Sequence, residues 1–420
     1  LEKFKKVVKE KSIGSYTYIK SFVKWIIIAI VTGLIGGVVG SAFHKSVDYV
    51  TSVRTANNWL VYLLPIGGVI IVFLYHVTKR NEGTDRVIES VRTDKKVPIL
   101  MAPLIFISTV ITHLLGGSAG REGAALQLGG SIGYKVGELF RLDDKDMHLV
   151  VMLGMSGVFS ALFGTPLTAT LFALEVISVG VIYYVALVPC LVSSLVAYEI
   201  ALSFKITPVK FDNIIFQPIT ATTTIKVIVL SLLCAIVSIL FCTAIKKCNK
   251  YFTKFIKNDY LRAIIGGIAV ILLTLAVGTN DYNGAGMNII ADAMSGNAQP
   301  FAFAFKIIFT VITISAGFKG GEIVPTFFIG ATFGCVMGGL LGLNPSYGAA
   351  IGFVALFCGV VNCPIASIML ALEVFGSQSI LLFALSCGVS YMMSGYYGLY
   401  KTQKIMYSKT EATFININTK

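Results

Sequence analysis

FGTPLTATLFALEV, residues 163–176, and VNCPIASIMLALEV, residues 361–374, are one segment written twice. Pro166 matches Pro364, and Ala173-Leu174-Glu175-Val176 matches Ala371-Leu372-Glu373-Val374, 198 residues further on. A second pair lies upstream in the same order. GGSAGREGAALQLGG, residues 116–130, faces GFKGGEIVPTFFIGA, residues 317–331, with Glu122 matched to Glu322 at a spacing of 200. Two matches at nearly one spacing mean an internal duplication. The chain divides into a segment at 1–21, a first repeat at 22–202, a polar linker at 203–225, a second repeat at 226–400 and a tail at 401–420.

Around these motifs the chain is too apolar for an aqueous enzyme. Of its 420 residues 55% are hydrophobic and only 13% charged, with a mean hydropathy of +0.81. Soluble domains carry roughly 25% charged residues. Charge-free runs include Trp25–Phe43, Trp59–Thr78, Val97–Gly120, Leu149–Leu174, Val227–Ile245 and Ala263–Asn280. The run Ile323–Leu372 is long enough for two or three helices. A span needs about 20 apolar residues. The runs are continuous, where a transmembrane barrel would alternate. Duplicated halves within a bilayer predict an all-α polytopic fold: two inverted repeats of short, tilted and broken helices, with a site at the midplane.

The net charge of +13 is clustered. Lys3, Lys5, Lys6, Lys9 and Lys11 form one block, Lys246, Lys247, Lys250, Lys254 and Lys257 a second, and Lys401, Lys404 and Lys409 a third. Each flanks a span, so each marks a cytoplasmic edge. A multi-pass protein of the cell membrane in contact with lipid is expected, not a nucleic-acid binder. No small-residue cleavage site follows the first apolar run, so a cleaved signal peptide is not expected. The eight cysteines and four histidines lack metal-ligand spacing, and neither a metal nor a cofactor is expected.

Glycine is dense beside the repeated motifs. Gly116, Gly117, Gly120 and Gly123 surround Glu122, and Gly317, Gly320 and Gly321 precede Glu322. Such runs stop a helix and bare backbone N–H groups. Helices restarting near Ala124 and Ile323 would aim their N-termini at the midplane, where the partial positive charge receives an anion. Tight helix packing is the other reading of glycine. It is preferred for Gly129, Gly130, Gly338 and Gly339.

Ionisable groups at membrane depth are costly and functional by default. Glu122 either competes with an anion at a helix N-terminus, gating the path and carrying a proton, or is the ion-pair partner of Arg121. Glu175 and Glu373 are placed symmetrically. Hydrogen bonding to free amides at helix breaks is preferred for them over proton carriage. The Glu322 side chain is expected to turn away and tie down its loop.

GSAGREG, residues 117–123, and GGEIVP, residues 320–325, with the FGTPL…LE helix, its twin and a late tyrosine, resemble the CLC family of chloride channels and anion/proton antiporters. The resemblance implies an inverted repeat and a homodimer with one anion path per subunit. Glu122 then matches the gating glutamate. Gly120, Arg121 and Gly123 flank it. The amides of Glu322 and Ile323 would contact the anion, with Ile323 where the family has Phe. Tyr400 resembles the tyrosine that donates to the anion from inside. Gly83–Val87 falls where the family has GSGIP, so Thr84 would supply the hydroxyl. Ala124 replaces the usual proline, and Val176 stands where many antiporters carry an internal proton-transfer glutamate. Many eukaryotic members carry a regulatory nucleotide-binding domain pair after the membrane domain, and none is expected here. The wording around both glutamates is closest to the fluoride-transporting branch. The function implied is halide transport: chloride, coupled to proton antiport, or alternatively fluoride/proton antiport or passive chloride conduction. A membrane enzyme would need a nucleophile–base pair or a metal cluster, and a cation or organic symporter more buried acids.

Overall fold

The computed structural model describes residues 2–79 and 83–420, with side chains from Thr17 onward. The lysines at 3, 5, 6, 9 and 11 therefore lie outside the described side chains. The first half contains α1 (Glu2–Ala56), α2 (Leu64–Val77), α3 (Thr84–Ser90), α4 (Met101–Leu114), α5 (Glu122–Leu139), α6 (Asp144–Phe163), α7 (Pro166–Glu175) and α8 (Leu187–Ser203). Residues 204–220 carry no helix. The second half contains α9 (Ala221–Phe255), α10 (Asp259–Val277), α11 (Met287–Met294), α12 (Ala302–Ser315), α13 (Ile323–Leu340), α14 (Pro345–Val361), α15 (Pro364–Phe375) and α16 (Ile380–Met393). From α2 to α8 each helix has a counterpart of similar length among α10 to α16, in the same order, while α1 and α9, at 55 and 35 residues, are the long first helix of each half. The chain is an inverted repeat of membrane helices.

Among the described residues seven helices are long and apolar enough to cross a bilayer, while α4, α12, α14, α15 and α16 are apolar but shorter. The run Val97–Gly120 was expected to span and does not. Its helix occupies Met101–Leu114 alone, because Gly116, at φ 83°, ends it. The run Ile323–Leu372 holds α13, α14 and most of α15, in line with the expected two or three helices.

Close glycine seams hold the core helices together. A Cβ on Gly129 would lie 2.2 Å from the Gly154 carbonyl oxygen, and one on Gly330 would lie 2.4 Å from that of Gly352. So α5 packs on α6, and α13 on α14, at backbone contact in both halves. Gly130 and Gly338 are equally tight, against Val87 and Gly348, so packing is their role. Gly339 meets only Pro345 at an ordinary 3.6 Å.

The segment after residue 400 is not a loose tail. β2 (Lys404–Tyr407) pairs antiparallel with β3 (Phe414–Asn418), and parallel with β1 (Ser178–Val179) of the first half. This three-stranded sheet is the one departure from an all-helical fold among the described residues. The sequence hides it because β1 is only two residues long.

Candidate functional site: paired helix N-termini between two cavities

The two glycine motifs meet. Gly120 N–H donates to the Gly321 carbonyl and Gly321 N–H to the Gly120 carbonyl, both at 2.7 Å, an isolated antiparallel bridge. Ser118 adds to the joint: its N–H donates to Thr313 Oγ1 at 3.1 Å and its hydroxyl lies 3.0 Å from Thr310 Oγ1. Room for the approach comes from missing side chains. A Cβ on Gly321 would lie 2.4 Å from the Gly123 nitrogen, and one on Gly320 2.5 Å from Ala119 Cβ.

Immediately after the bridge, α5 begins at Glu122 and α13 at Ile323. The first N–H groups of a helix have no intrahelical partner. Both helices therefore present bare amides and the positive ends of their dipoles to one place. The helix that was read as restarting near Ala124 begins two residues earlier, so Glu122 is its first residue and Arg121 its N-cap.

Glu122 is 1% exposed. Its Oε2 accepts from the Arg121 backbone N–H at 3.0 Å, and its Oε1 lies 3.7 Å from Arg121 Nε. The stronger partner of the Arg121 guanidinium is Asp48, with Nη1 to Oδ1 at 2.6 Å. His44 Nε2 holds the other Asp48 oxygen at 2.9 Å. The ion-pair reading of Glu122 is thus weakened: Arg121 is turned chiefly towards α1. Asp48 and His44 carry no motif in the sequence; only their i,i+4 spacing on α1 pointed to a pair.

A cavity of about 560 Å³ lies on one side of the bridge, with Asp48, Arg54, Arg121, Asn283 and Val324 in its wall. Another, of about 340 Å³, lies on the other side, with Thr84, Gln127, Asn249, Lys319, Glu322 and Tyr400. Asn249 sits within the Lys246–Lys257 block of α9, which marks this second cavity as the cytoplasmic one. Glu122 lines neither cavity and sits on the partition between them.

The site residues named from the sequence converge, with adjustments. Tyr400 is 3% exposed, and its buried hydroxyl has no hydrogen-bond partner. It lies in the loop after α16, not in the last span. Thr84 reaches the cytoplasmic cavity, but its hydroxyl donates to the Gly123 carbonyl at 3.3 Å and accepts from Gln127 Nε2 at 3.0 Å. Its one proton is committed. Gln127, buried on the inner face of α5, was not singled out; a glutamine within an apolar helix was the available signal. Glu322 is among the residues of the cytoplasmic cavity, and a Cβ on Gly123 would lie 3.3 Å from its Oε2.

Glu175 and Glu373 take the hydrogen-bonding role preferred for them, in a reciprocal form. Glu175, ending α7, accepts from the N–H groups of Ile365 and Ala366 at 3.2 and 2.9 Å, at the start of α15. Glu373, near the end of α15, accepts from the N–H groups of Leu167 and Thr168 at 2.9 and 2.8 Å, at the start of α7. The Thr168 hydroxyl adds a third donor to Glu373 at 2.6 Å.

Two cavities ending on facing helix N-termini, with a carboxylate between them, define a membrane protein that passes small anions. The voltage-gated chloride channel family model matches residues 67–395. A chloride/fluoride channel protein of Pseudomonas syringae pv. tomato is 34% identical over 395 residues, 92% of this chain and 87% of that one. An H(+)/Cl(-) exchange transporter of Vibrio campbellii is 25% identical over 84% of this chain and 82% of that one. The crystal structure of a CLC-type fluoride/proton antiporter superposes with a TM-score of 0.87 at 30% identity, covering 91% of this chain and 98% of that one. The chain belongs to the voltage-gated chloride channel family. A membrane enzyme is set aside with that assignment.

Proposed function

We propose that the chain exchanges a halide for protons across the cell membrane, with Glu122 as both gate and proton carrier. The observation that carries this reading is the Gly120–Gly321 bridge, which sets two helix N-termini against one point and places Glu122 beside it. A charged Glu122 fills the position an anion would take. A halide arriving at the same amides repels the carboxylate and favours its protonation. Halide and proton binding are linked, and linkage is reciprocal. From the cytoplasmic side the unpartnered Tyr400 hydroxyl is the free donor to the anion. The amides of Gly123, Glu322 and Ile323 complete its shell, with Gly120 giving the close approach. Arg121 sets the potential of the outer cavity. Thr84 joins only after releasing Gly123.

Chloride is the first reading for the halide. Fluoride is the second, supported by the names of the relatives at 34% and 30% identity. Passive conduction is the remaining alternative, and Val176 in place of a second carboxylate supports it. No cofactor enters any of these. The same proposal takes the protein as a homodimer with one path per subunit.

The test is reconstitution into liposomes with halide efflux and proton uptake followed together, in chloride, fluoride and gluconate. Glu122→Gln keeps the volume and removes the charge. It is expected to abolish proton movement and pH dependence while anions still pass. In a fluoride-type exchanger, where the acid moves in each cycle, transport stops altogether. Wild-type anion flux, proton flux and pH response in this variant would return Glu122 to a structural role.

A further inference from the structure

A third cavity, of about 560 Å³, lies between the C-terminal end of α2 and the N-terminal end of α10, with Gly317 and Lys319 shared with the cytoplasmic cavity of the anion path. Its ionisable wall is basic. His76, Lys79, Arg262 and Lys319 face one carboxylate, Asp259. That carboxylate is committed to Arg262, at 2.7 Å. Lys79 and Lys319 have no ion-pair partner among the described residues. The Lys319 ammonium rests 4.3 Å above the Tyr75 ring, and the buried Nε of Arg262 has no acceptor. Two uncompensated lysines and an unfilled guanidinium N–H around one hollow are a set of donors without an anion.

The depth and surroundings of the cavity say what that anion is attached to. Lys254 lies in the last turn of α9 and Lys257 between α9 and α10, so the positive-inside rule puts the cavity at the cytoplasmic edge of the bilayer. Ile71, Val72 and Val77 make its remaining wall apolar. On the same two helices Phe73, Val77, Leu261 and Ile265 are exposed, as apolar side chains facing lipid are. A basic hollow between membrane helices on the cytoplasmic side suits the headgroup of an anionic lipid.

We propose that this cavity binds a phosphate group carried by an anionic phospholipid, with Lys79 and Lys319 as its principal cations. Lys319 also lines the cytoplasmic cavity of the anion path and stands three residues before Glu322. A phosphate that draws Lys319 outward takes positive charge away from that cavity. The site is therefore placed to tune transport by membrane composition.

The whole chain, purified in a neutral detergent, is mixed with equal phosphatidylglycerol and phosphatidylcholine, and retained lipids are counted by native mass spectrometry. Wild type is expected to prefer phosphatidylglycerol. A basic side chain near an anionic surface contributes about 1 kcal/mol, or about five-fold. Lys79→Gln should lower the preference about five-fold, and Lys79→Gln with Lys319→Gln about twenty-five-fold. Lys20→Gln with Lys145→Gln, two exposed lysines elsewhere, should leave it unchanged. Equal retention of both lipids by wild type overturns the proposal, as does an unchanged preference in Lys79→Gln and the double variant. In a parallel arm inorganic phosphate alone is added. Phosphate adducts that form without lipid and displace phosphatidylglycerol would assign the cavity to free phosphate and overturn the lipid reading. Thermal unfolding checks that the variants remain folded.

Discussion

At the scale of the residue, Tyr400 and Thr84 show why resemblance finds positions better than states. Both reach the cytoplasmic cavity, as their places in the sequence implied. Only the structure shows that Thr84 has spent its proton on Gly123, while the Tyr400 hydroxyl is free. Tyr400→Phe removes a donor that stabilises nothing in the empty protein. It should leave the melting temperature unchanged and weaken halide binding at least about ten-fold, the worth of about 1.5–3 kcal/mol for a hydrogen bond to a charged group. Isothermal titration in parallel with thermal unfolding checks both halves of that statement. Asp48, His44 and Gln127 were illegible in the sequence for one reason. Asp48 meets Arg121 and Gln127 meets Thr84 across long stretches of chain, and the local i,i+4 pairing of His44 with Asp48 does not say that α1 meets the start of α5.

At the scale of the element, the duplication was legible because it is local: Pro at the start and Ala-Leu-Glu-Val at the end survive in both halves. Helix lengths were less so. A charge-free run counts apolar residues, whereas α4 and α12 are cut by the same glycine motifs that build the site. The reciprocal caps on α7 and α15 lead to an expectation of their own. Glu373 carries two amides and a hydroxyl on Thr168 and Leu167. Glu373→Ala leaves these donors unpaired, at about 1–3 kcal/mol for each group that water cannot reach, which applies to the Thr168 donors more than to the N–H of exposed Leu167. Stability should fall by a few kcal/mol, with Glu122-dependent proton coupling retained in protein that remains folded. A variant of normal stability and lost coupling would instead make Glu373 a proton carrier. Chemical denaturation and liposome flux on the same preparation separate the outcomes.

At the scale of the molecule, the β2–β3 hairpin ties the second half to the first and to the path. The Thr402 N–H donates to Oδ1 of Asp85, the neighbour of Thr84, at 3.0 Å, and Arg92 donates to the Thr402 carbonyl. Lys409, in the turn of the hairpin, is buried against Asn362 Oδ1 at 2.5 Å and Ser394 Oγ at 3.1 Å, above the Tyr391 ring. Burial pushes its ammonium down from 10.5 to about 7. The unfolded chain keeps that proton up to its ordinary range, so unfolding takes up a proton between about pH 7 and 10. The cost of burying the charge is therefore fully present below pH 7 and is relieved as pH rises through that window. Thermal unfolding should shift upward from pH 6.5 to 8.5 in wild type, with a flatter response in Lys409→Met; equal slopes would refute the coupling. The crossed glutamate caps reach further still. If the two halves descend from separate copies of one polypeptide inserted in opposite directions, Glu175 and Glu373 were once the same residue, and each cap bridged two molecules. One substitution would then have struck both bridges at once. Fusion freed them to drift apart, and the drift is visible: one carboxylate now holds two donors and the other three.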